Sequence, residues 1–227
     1  MNVRSLFWVM AAAGYAGIPP ADGEDVIRTI LDRKAIAEFR WTAVGEIVEK
    51  GGALDLIEVE RYMRWFSTLP DDVRQAVNDA WGEPPGGKEG VPPAMVYEGR
   101  IVVTGVRFGN AVVCVQPKRG CAGSRCDGTV CRILHDPEIP PTHQYLATYR
   151  WLEDEFGADA IVHVGTHGNL EFLPGKSAAS SDSWYPDTPS SGAVPLHLRR
   201  RNPARRSRRR RGRSADPPSY TVLTRGS

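Results

Sequence analysis

The chain has 227 residues with a formal net charge of +2, and 41% of its residues are hydrophobic. A chain of this length and composition can bury the core of one or two domains, which excludes a wholly disordered protein. Its apolar runs are shorter than a membrane-spanning helix requires, so the sequence predicts no membrane-embedded helix.

The beginning of the chain predicts a helix. The apolar stretch Leu6–Ala13 has the length of a signal-peptide core, but Trp8 within it and the capping residue Ser5 before it favour an ordinary short helix. We therefore expect a cytoplasmic protein with reduced cysteines.

Residues 1–82 are predicted to form a mainly helical region. From Glu24 to Trp81 apolar residues recur at helical spacing, and the longest stripe consists of Leu56, Ile57, Val59, Tyr62, Met63 and Phe66. Pro70 followed by two acids is typical of the first turn of a helix. These stripes are explained most simply as core.

A second region, residues 88–190, is predicted to have mixed α/β structure. It begins with a β-hairpin segment, in which turns near Gly99 and Gly109 separate strands at 94–97, 101–106 and 111–116. A long loop to about Pro141 follows, and then an amphipathic helix over His143–Phe156.

The loop contains three cysteines at C-x4-C-x4-C spacing, Cys121, Cys126 and Cys131, with Cys114 upstream. Zinc ribbons and ferredoxin-type clusters use other spacings, so ordinary reduced cysteines are the simpler interpretation. Thiolate ligation of a metal stays open as the alternative.

Three other residues of this loop are candidates for binding. Arg119 offers a guanidinium to ligand carboxylates, and prolines stiffen the segments that present His135 and His143. A structural role for His143, capping the helix that begins there, is an equally good interpretation.

The most informative segment is a short strand followed by a glycine-rich turn. The strand covers 160–164 and Gly165 ends it, and His163, His167 and Glu171 follow one another at intervals of four. Imidazole and carboxylate groups bind divalent cations or transfer protons near neutral pH. Open α/β sheets place their sites at the ends of parallel strands. A metal or proton-transfer site and a plain packing role for His163 both remain open here.

Residues 191–227 are predicted to be a disordered basic tail, because arginines dominate it without apolar periodicity and Asp216 is its only acid after residue 198. Such a tail would bind nucleic acid or another polyanion by charge alone. Arginine mixed with Pro, Ser, Ala and Gly is also what a shifted reading frame of GC-rich DNA encodes. We favour that origin, so nucleic-acid binding is not expected.

Several ordered stretches together carry a resemblance to a known family: 116–120, 135–137, 140–147, 151–153, 156–160 and 161–176. They resemble the large subunit of cobaltochelatase and its homologue, the large (H) subunit of magnesium chelatase. The similarity runs from about Asn2 to Asp187, and the loop 119–131 is more similar to the cobalt branch. Family subunits are far longer, so the chain resembles an internal piece, and the family's continuation is missing after Asp187.

The resemblance implies insertion of a divalent metal into a tetrapyrrole. The cobalt branch would insert Co²⁺ into hydrogenobyrinic acid a,c-diamide for cobalamin biosynthesis, and the magnesium branch would insert Mg²⁺ into protoporphyrin IX. ATP would be hydrolysed by separate AAA+ ATPase partner subunits, which agrees with the absence of a G-x4-G-K-[ST] motif here.

Under this resemblance His163, His167 and Glu171 are expected to deliver the metal or accept protons. Arg119, His135 and His143 are expected to bind the substrate. Oxygen and nitrogen ligands suit a metal that must be released again, since thiolates would hold it too firmly. A noncatalytic tetrapyrrole- or metal-binding fragment and a polyanion-binding protein are the alternatives of a different class.

Overall fold

The computed structural model describes residues 22–36, 43–87, 93, 95–117, 120, 138–158, 160–165, 194–199 and 220–224. The predicted helix at Leu6–Ala13 lies outside these described residues. So do Cys121, Cys126 and Cys131.

The first part of the chain contains four helices and one strand within the described residues. They are α1 (Gly23–Asp32), α2 (Val44–Glu49), β1 (Ala53–Ile57), α3 (Val59–Phe66) and α4 (Asp71–Trp81). The Asp22 carboxylate caps α1 by accepting a hydrogen bond from the backbone nitrogen of Asp25 at 2.8 Å. As the sequence predicts, α4 begins directly after Pro70.

The prediction of one helical stripe from residue 56 to residue 66 is wrong at its beginning. Leu56 and Ile57 lie in strand β1, where Ile57 pairs with Ile101. A short apolar run does not distinguish a helix from a buried strand, and here pairing with a partner distant in sequence decides the outcome. The remainder of the stripe is helical in α3, with Tyr62 and Phe66 buried.

The predicted hairpins are present as β2 (Val96–Tyr97), β3 (Arg100–Thr104), β4 (Val106–Phe108) and β5 (Ala111–Val115). The segment predicted as one strand over 101–106 is divided at Gly105, because β3 joins a three-stranded sheet in the order β1-β3-β2 while β4 joins a second sheet. A Cβ at Gly105 would lie 2.6 Å from Leu54 Cδ1 and 2.8 Å from Cys114 Sγ. Glycine therefore permits the close approach where the chain changes sheets.

The second sheet has five strands in the order β4-β5-β8-β6-β7, completed by β6 (Ala160–Gly165), β7 (Val194–Arg199) and β8 (Tyr220–Thr224). Strands β7 and β8 lie within the segment that the sequence predicts to be disordered, so the structure differs from that expectation at these residues. Apolar residues alternate along β7, and its Pro195 stands on an edge strand, where a missing N–H is tolerated.

A helix is present where the sequence predicts one, as α5 (His143–Arg150), followed by a π-helical turn at Trp151–Glu155. The prediction that it is amphipathic is wrong, because residues 143–149 are all buried, the polar ones included. Its predicted apolar side is buried throughout: Tyr145, Leu146, Tyr149, Leu152 and Phe156. These residues share one hydrophobic cluster with α3, α4 and β3. The core therefore joins the helical block to the later α/β segment. Among the described residues, the helices are too short or too polar to cross a membrane.

Asp55 links these two parts by hydrogen bonds as well. Its Oδ2 accepts from Arg61 Nη2 at 2.8 Å and from Trp151 Nε1 at 2.7 Å, and Arg61 Nε donates to Glu155 Oε1 at 3.0 Å. Burial alone would lower the pKa of the Arg61 guanidinium. The hydrogen bonds to Glu155 and Asp55 have the larger combined effect, so the pKa is raised. The network holds the π-helical turn against β1 and α3.

Candidate functional site

The carboxyl ends of β5 and β6 lie at the same edge of the five-stranded sheet. Strands β5 and β6 both run antiparallel to β8, and Val115 and Val164 both pair with Tyr220. The carboxyl ends of β5 and β6 therefore lie on the same edge, separated by one intervening strand, or about 10 Å. Strand β7 runs parallel to β6 and ends there too.

The segments that follow these ends carry most of the predicted site residues. His163 lies in β6, paired with Thr221 on one side and His197 on the other, two residues before the strand ends. His167 and Glu171 follow β6, and they lie outside the described residues. Their assignment as metal or proton-transfer groups stays a prediction. The same holds for His163, whose side chain is not among those described.

The loop that follows β5 begins at the same edge. It carries Arg119 and His135, which also lie outside the described residues, so their assignment to substrate binding stays a prediction. The topology nevertheless places the carboxyl ends of β5 and β6, after which this loop and the His/Glu segment follow in sequence, at the same sheet edge, which the sequence did not reveal.

The structure describes the surroundings of the His143 side chain. It is buried, its Nε2 lies 2.8 Å from the carbonyl oxygen of Gly82, and its Nδ1 lies 3.1 Å from the hydroxyl of Tyr62. Because a carbonyl only accepts, Nε2 carries the hydrogen in this arrangement and Nδ1 accepts from Tyr62. Phe66 packs edge-on against the ring at 5.0 Å between centroids.

The alternative prediction, that His143 caps α5, is wrong, because the preceding residue, Thr142, is the cap. The Thr142 hydroxyl accepts from the backbone nitrogen of Tyr145 at 3.2 Å and caps α5. Both ring nitrogens of His143 are instead engaged inside the protein, where they join α5 to α3 and to the end of α4. Its predicted role in substrate binding remains untested by this placement.

Burial should make the stability of the protein depend on pH through His143. Desolvation lowers its pKa from 6.5 to about 4, against the opposing effect of the Gly82 hydrogen bond. Between these values the unfolded chain binds the proton and the folded chain does not, so stability falls as the pH falls from about 6.5 to about 4. The expected loss is roughly 3 kcal/mol.

Urea unfolding at pH 7.5 and pH 4.5 measures this loss, with His143→Gln as the comparison. Glutamine keeps a donor for the Gly82 carbonyl but does not titrate. The variant should lose less stability than the native chain over this interval, while the carboxylates contribute equally to both. An identical loss in both proteins would contradict a neutral buried His143.

Both ends of the long loop are anchored by buried donors that sequence reasoning missed. After β5, Gln116 Nε2 donates to the hydroxyl of Tyr149 at 2.8 Å and to that of Tyr145 at 3.4 Å. Before α5, Trp81 Nε1 donates to the carbonyl oxygen of Pro140 at 2.9 Å. The only signal in the sequence was a polar residue, Gln116, at the end of an apolar strand. The contacts bring the end of β5 and the start of α5 together.

Cys114 behaves as a core residue. It is buried, and desolvation raises the pKa of its thiol to about 12. It therefore stays protonated at neutral pH and is a poor metal ligand. The interpretation as an ordinary reduced cysteine fits this position.

The amino-acid sequence matches the model of a known family. The family model described as CobN/Magnesium Chelatase matches residues 2–196. The chain belongs to this family. Its description covers a cobalt and a magnesium branch, and the match includes the strand and the His/Glu segment of the candidate site.

Individual proteins are also similar in sequence to this chain. The chain is 48% identical over 212 residues to the uncharacterized protein MJ1441 of Methanocaldococcus jannaschii, covering 92% of this chain and 16% of the relative. It is 37% identical over 174 residues to the aerobic cobaltochelatase subunit CobN of Pseudomonas aeruginosa, covering 74% of this chain and 12% of that protein. The chain thus spans less than a fifth of the length of these relatives.

A solved structure supports the fold. The catalytic subunit of cobaltochelatase from Mycobacterium tuberculosis matches with a TM-score of 0.65 and 32% identity, covering 86% of this chain and 16% of that one. The mixed helix and sheet architecture described above therefore agrees with that of a segment of a large chelatase subunit of the CobN/Magnesium Chelatase family.

Proposed function

We propose that this chain is part of the large, tetrapyrrole-binding subunit of an ATP-dependent cobaltochelatase, which inserts Co²⁺ into hydrogenobyrinic acid a,c-diamide in the cytoplasm. The observation that carries the proposal is the shared sheet edge. There, the loop of Arg119 and the segment of His167 and Glu171 both begin, in a chain that belongs to the chelatase family.

Metal insertion requires three chemical steps from such a site. Water must leave the divalent cation, the cation must reach four ring nitrogens, and the N–H groups inside the ring must give up their protons, one from a corrin or two from a porphyrin. His163, His167 and Glu171 supply ligands of moderate strength and basic groups in one segment of chain. Arg119 and His135 would bind the acidic periphery of the ring from the neighbouring loop.

ATP hydrolysis is assigned to AAA+ ATPase partner subunits rather than to this chain. The sequence has no phosphate-binding loop of the G-x4-G-K-[ST] type, which agrees with this division of roles. Energy from the partners would then act on the conformation of the large subunit.

The second candidate is insertion of Mg²⁺ into protoporphyrin IX. The family description names both branches, which supports either metal. Insertion assays with each metal and its matching tetrapyrrole, in a full-length subunit with its ATPase partners, distinguish the two. Turnover with Co²⁺ alone supports the cobalt branch.

Tetrapyrrole binding tests the proposal on the chain itself. Purified protein should shift the absorption band of deuteroporphyrin IX, and replacement of the arginines within residues 205–213 by glutamine, which leaves strands β7 and β8 in place, should leave the titration unchanged. Loss of binding with these arginines, or binding abolished by moderate salt, would indicate a polyanion-type interaction instead. Absence of any shift would contradict tetrapyrrole binding by this segment.

A further inference from the structure

One buried polar group at the start of α5 has no partner. Gln144 is 4% exposed, and its Nε2 is fully buried without a hydrogen-bond acceptor. Its backbone oxygen is used by the Thr148 hydroxyl at 2.8 Å, so the side-chain amide is what remains unexplained. The neighbouring side chains on either side, His143 and Tyr145, are both hydrogen-bonded.

An unpartnered buried donor destabilises a protein, since it has lost its hydrogen bonds to water without replacement. Such a group in a folded protein calls for a reason, and a ligand that supplies the acceptor is one. Gln144 is the second residue of α5, and side chains on an α-helix lean toward the N-terminus. We therefore expect its amide to lean toward the start of the helix, where the backbone dipole favours negative charge.

The start of α5 lies beside the candidate site. Tyr145, the next residue, contacts Gln116, which follows the carboxyl end of β5 at the shared sheet edge. The loop that leaves this edge with Arg119 returns to the chain at α5. In the proposed function the ligand binds at this edge, and the contact between Gln116 and Tyr145 joins the edge to the first turn of α5.

We propose that the Gln144 amide donates a hydrogen bond to a peripheral carboxylate of the tetrapyrrole substrate, together with the positive end of α5. The inference rests on the proposed function and adds a residue that recognises the substrate's acidic periphery. Gln144 is a binding residue in this account, and it takes no part in the transfer of metal or protons.

The variant Gln144→Met separates this role from a structural one. Methionine fills a similar volume without a polar group, so relief of the unpartnered donor should raise Tm by roughly 2–6 °C. The same variant should bind deuteroporphyrin IX about tenfold more weakly, because the hydrogen bond to a charged acceptor is lost. A gain in stability with a loss of affinity is not expected for a residue that only packs.

Two controls complete the experiment. Gln116→Met removes a buried amide that does have partners, so it should lower Tm instead of raising it. The dimethyl ester of deuteroporphyrin IX lacks the charged carboxylates, so native chain and Gln144→Met should bind it equally.

The outcomes distinguish the two levels of the proposal. If the native chain binds the diacid and Gln144→Met binds it equally well, or if Gln144→Met lowers Tm, the role of Gln144 is overturned while tetrapyrrole binding stands. If the native chain binds neither the diacid nor the diester, tetrapyrrole binding itself fails and the role of Gln144 fails with it.

Discussion

In a full-length chelatase subunit, Glu171→Gln and His167→Ala are each expected to lower the rate of metal insertion by about 10²–10⁴-fold. The amide of glutamine neither accepts a proton from the macrocycle nor neutralises a divalent cation, although it has nearly the same shape as the carboxylate. Alanine removes the imidazole altogether. Absorbance of the metallated product, with ATPase partners present, measures the rate.

The matched control for the carboxylate is Glu49→Gln, which makes the same chemical change at an exposed residue of α2, a helix that packs, among the described residues, against the three-stranded sheet and not against the five-stranded one. It should leave the rate unchanged. Native rates in both Glu171→Gln and His167→Ala, with normal folding, would remove these residues from the site. Loss of folding in either is checked by circular dichroism before activity is compared.

Gly52→Ala is expected to cost about 3 kcal/mol or more of folding stability. A Cβ at this position would overlap the carbonyl oxygen of Arg33 and lie 2.8 Å from the backbone nitrogen of Ala35. These are backbone atoms of the turn after α1, so no side-chain rotation relieves the overlap. The packing of α1 beside the start of β1 depends on this missing Cβ.

Gly51→Ala is the neighbouring control. Gly51 has a positive φ of 72°, but a Cβ there would have no heavy atom within 4 Å. Its substitution should cost only about 1 kcal/mol, for backbone strain alone. Urea unfolding of both variants gives the comparison. Equal losses would show that the turn after α1 moves freely away from β1.

Local patterns predicted the secondary structure well where neighbours in sequence are also neighbours in space. The turns at Gly99 and Gly109, the start of α4 after Pro70, and the buried side of α5 all follow from spacing and turn chemistry. Contacts between segments that are distant in sequence could not be predicted from local patterns. Leu56 and Ile57 form a strand only because β3 lies beside them.

The candidate site shows the same division. Chemistry suggested His163, His167 and Glu171, since imidazole and carboxylate groups bind divalent cations or transfer protons, and their role stays a prediction. The sequence could not show that β5 and β6 end at the same edge, because β8, which lies between them, comes later in the chain. Nor could it show that His143 is buried against Tyr62, since their proximity depends on the packing of α5 on α3.

The central claim is that a tetrapyrrole binds at the edge where β5 and β6 both end. A crystal structure of this chain with deuteroporphyrin IX tests it most directly. The account predicts that the macrocycle contacts both the segment after Val115 and the segment after Gly165, with a carboxylate near the start of α5. A macrocycle bound elsewhere, for example on the exposed Ile27 and Leu31 of α1, would contradict it.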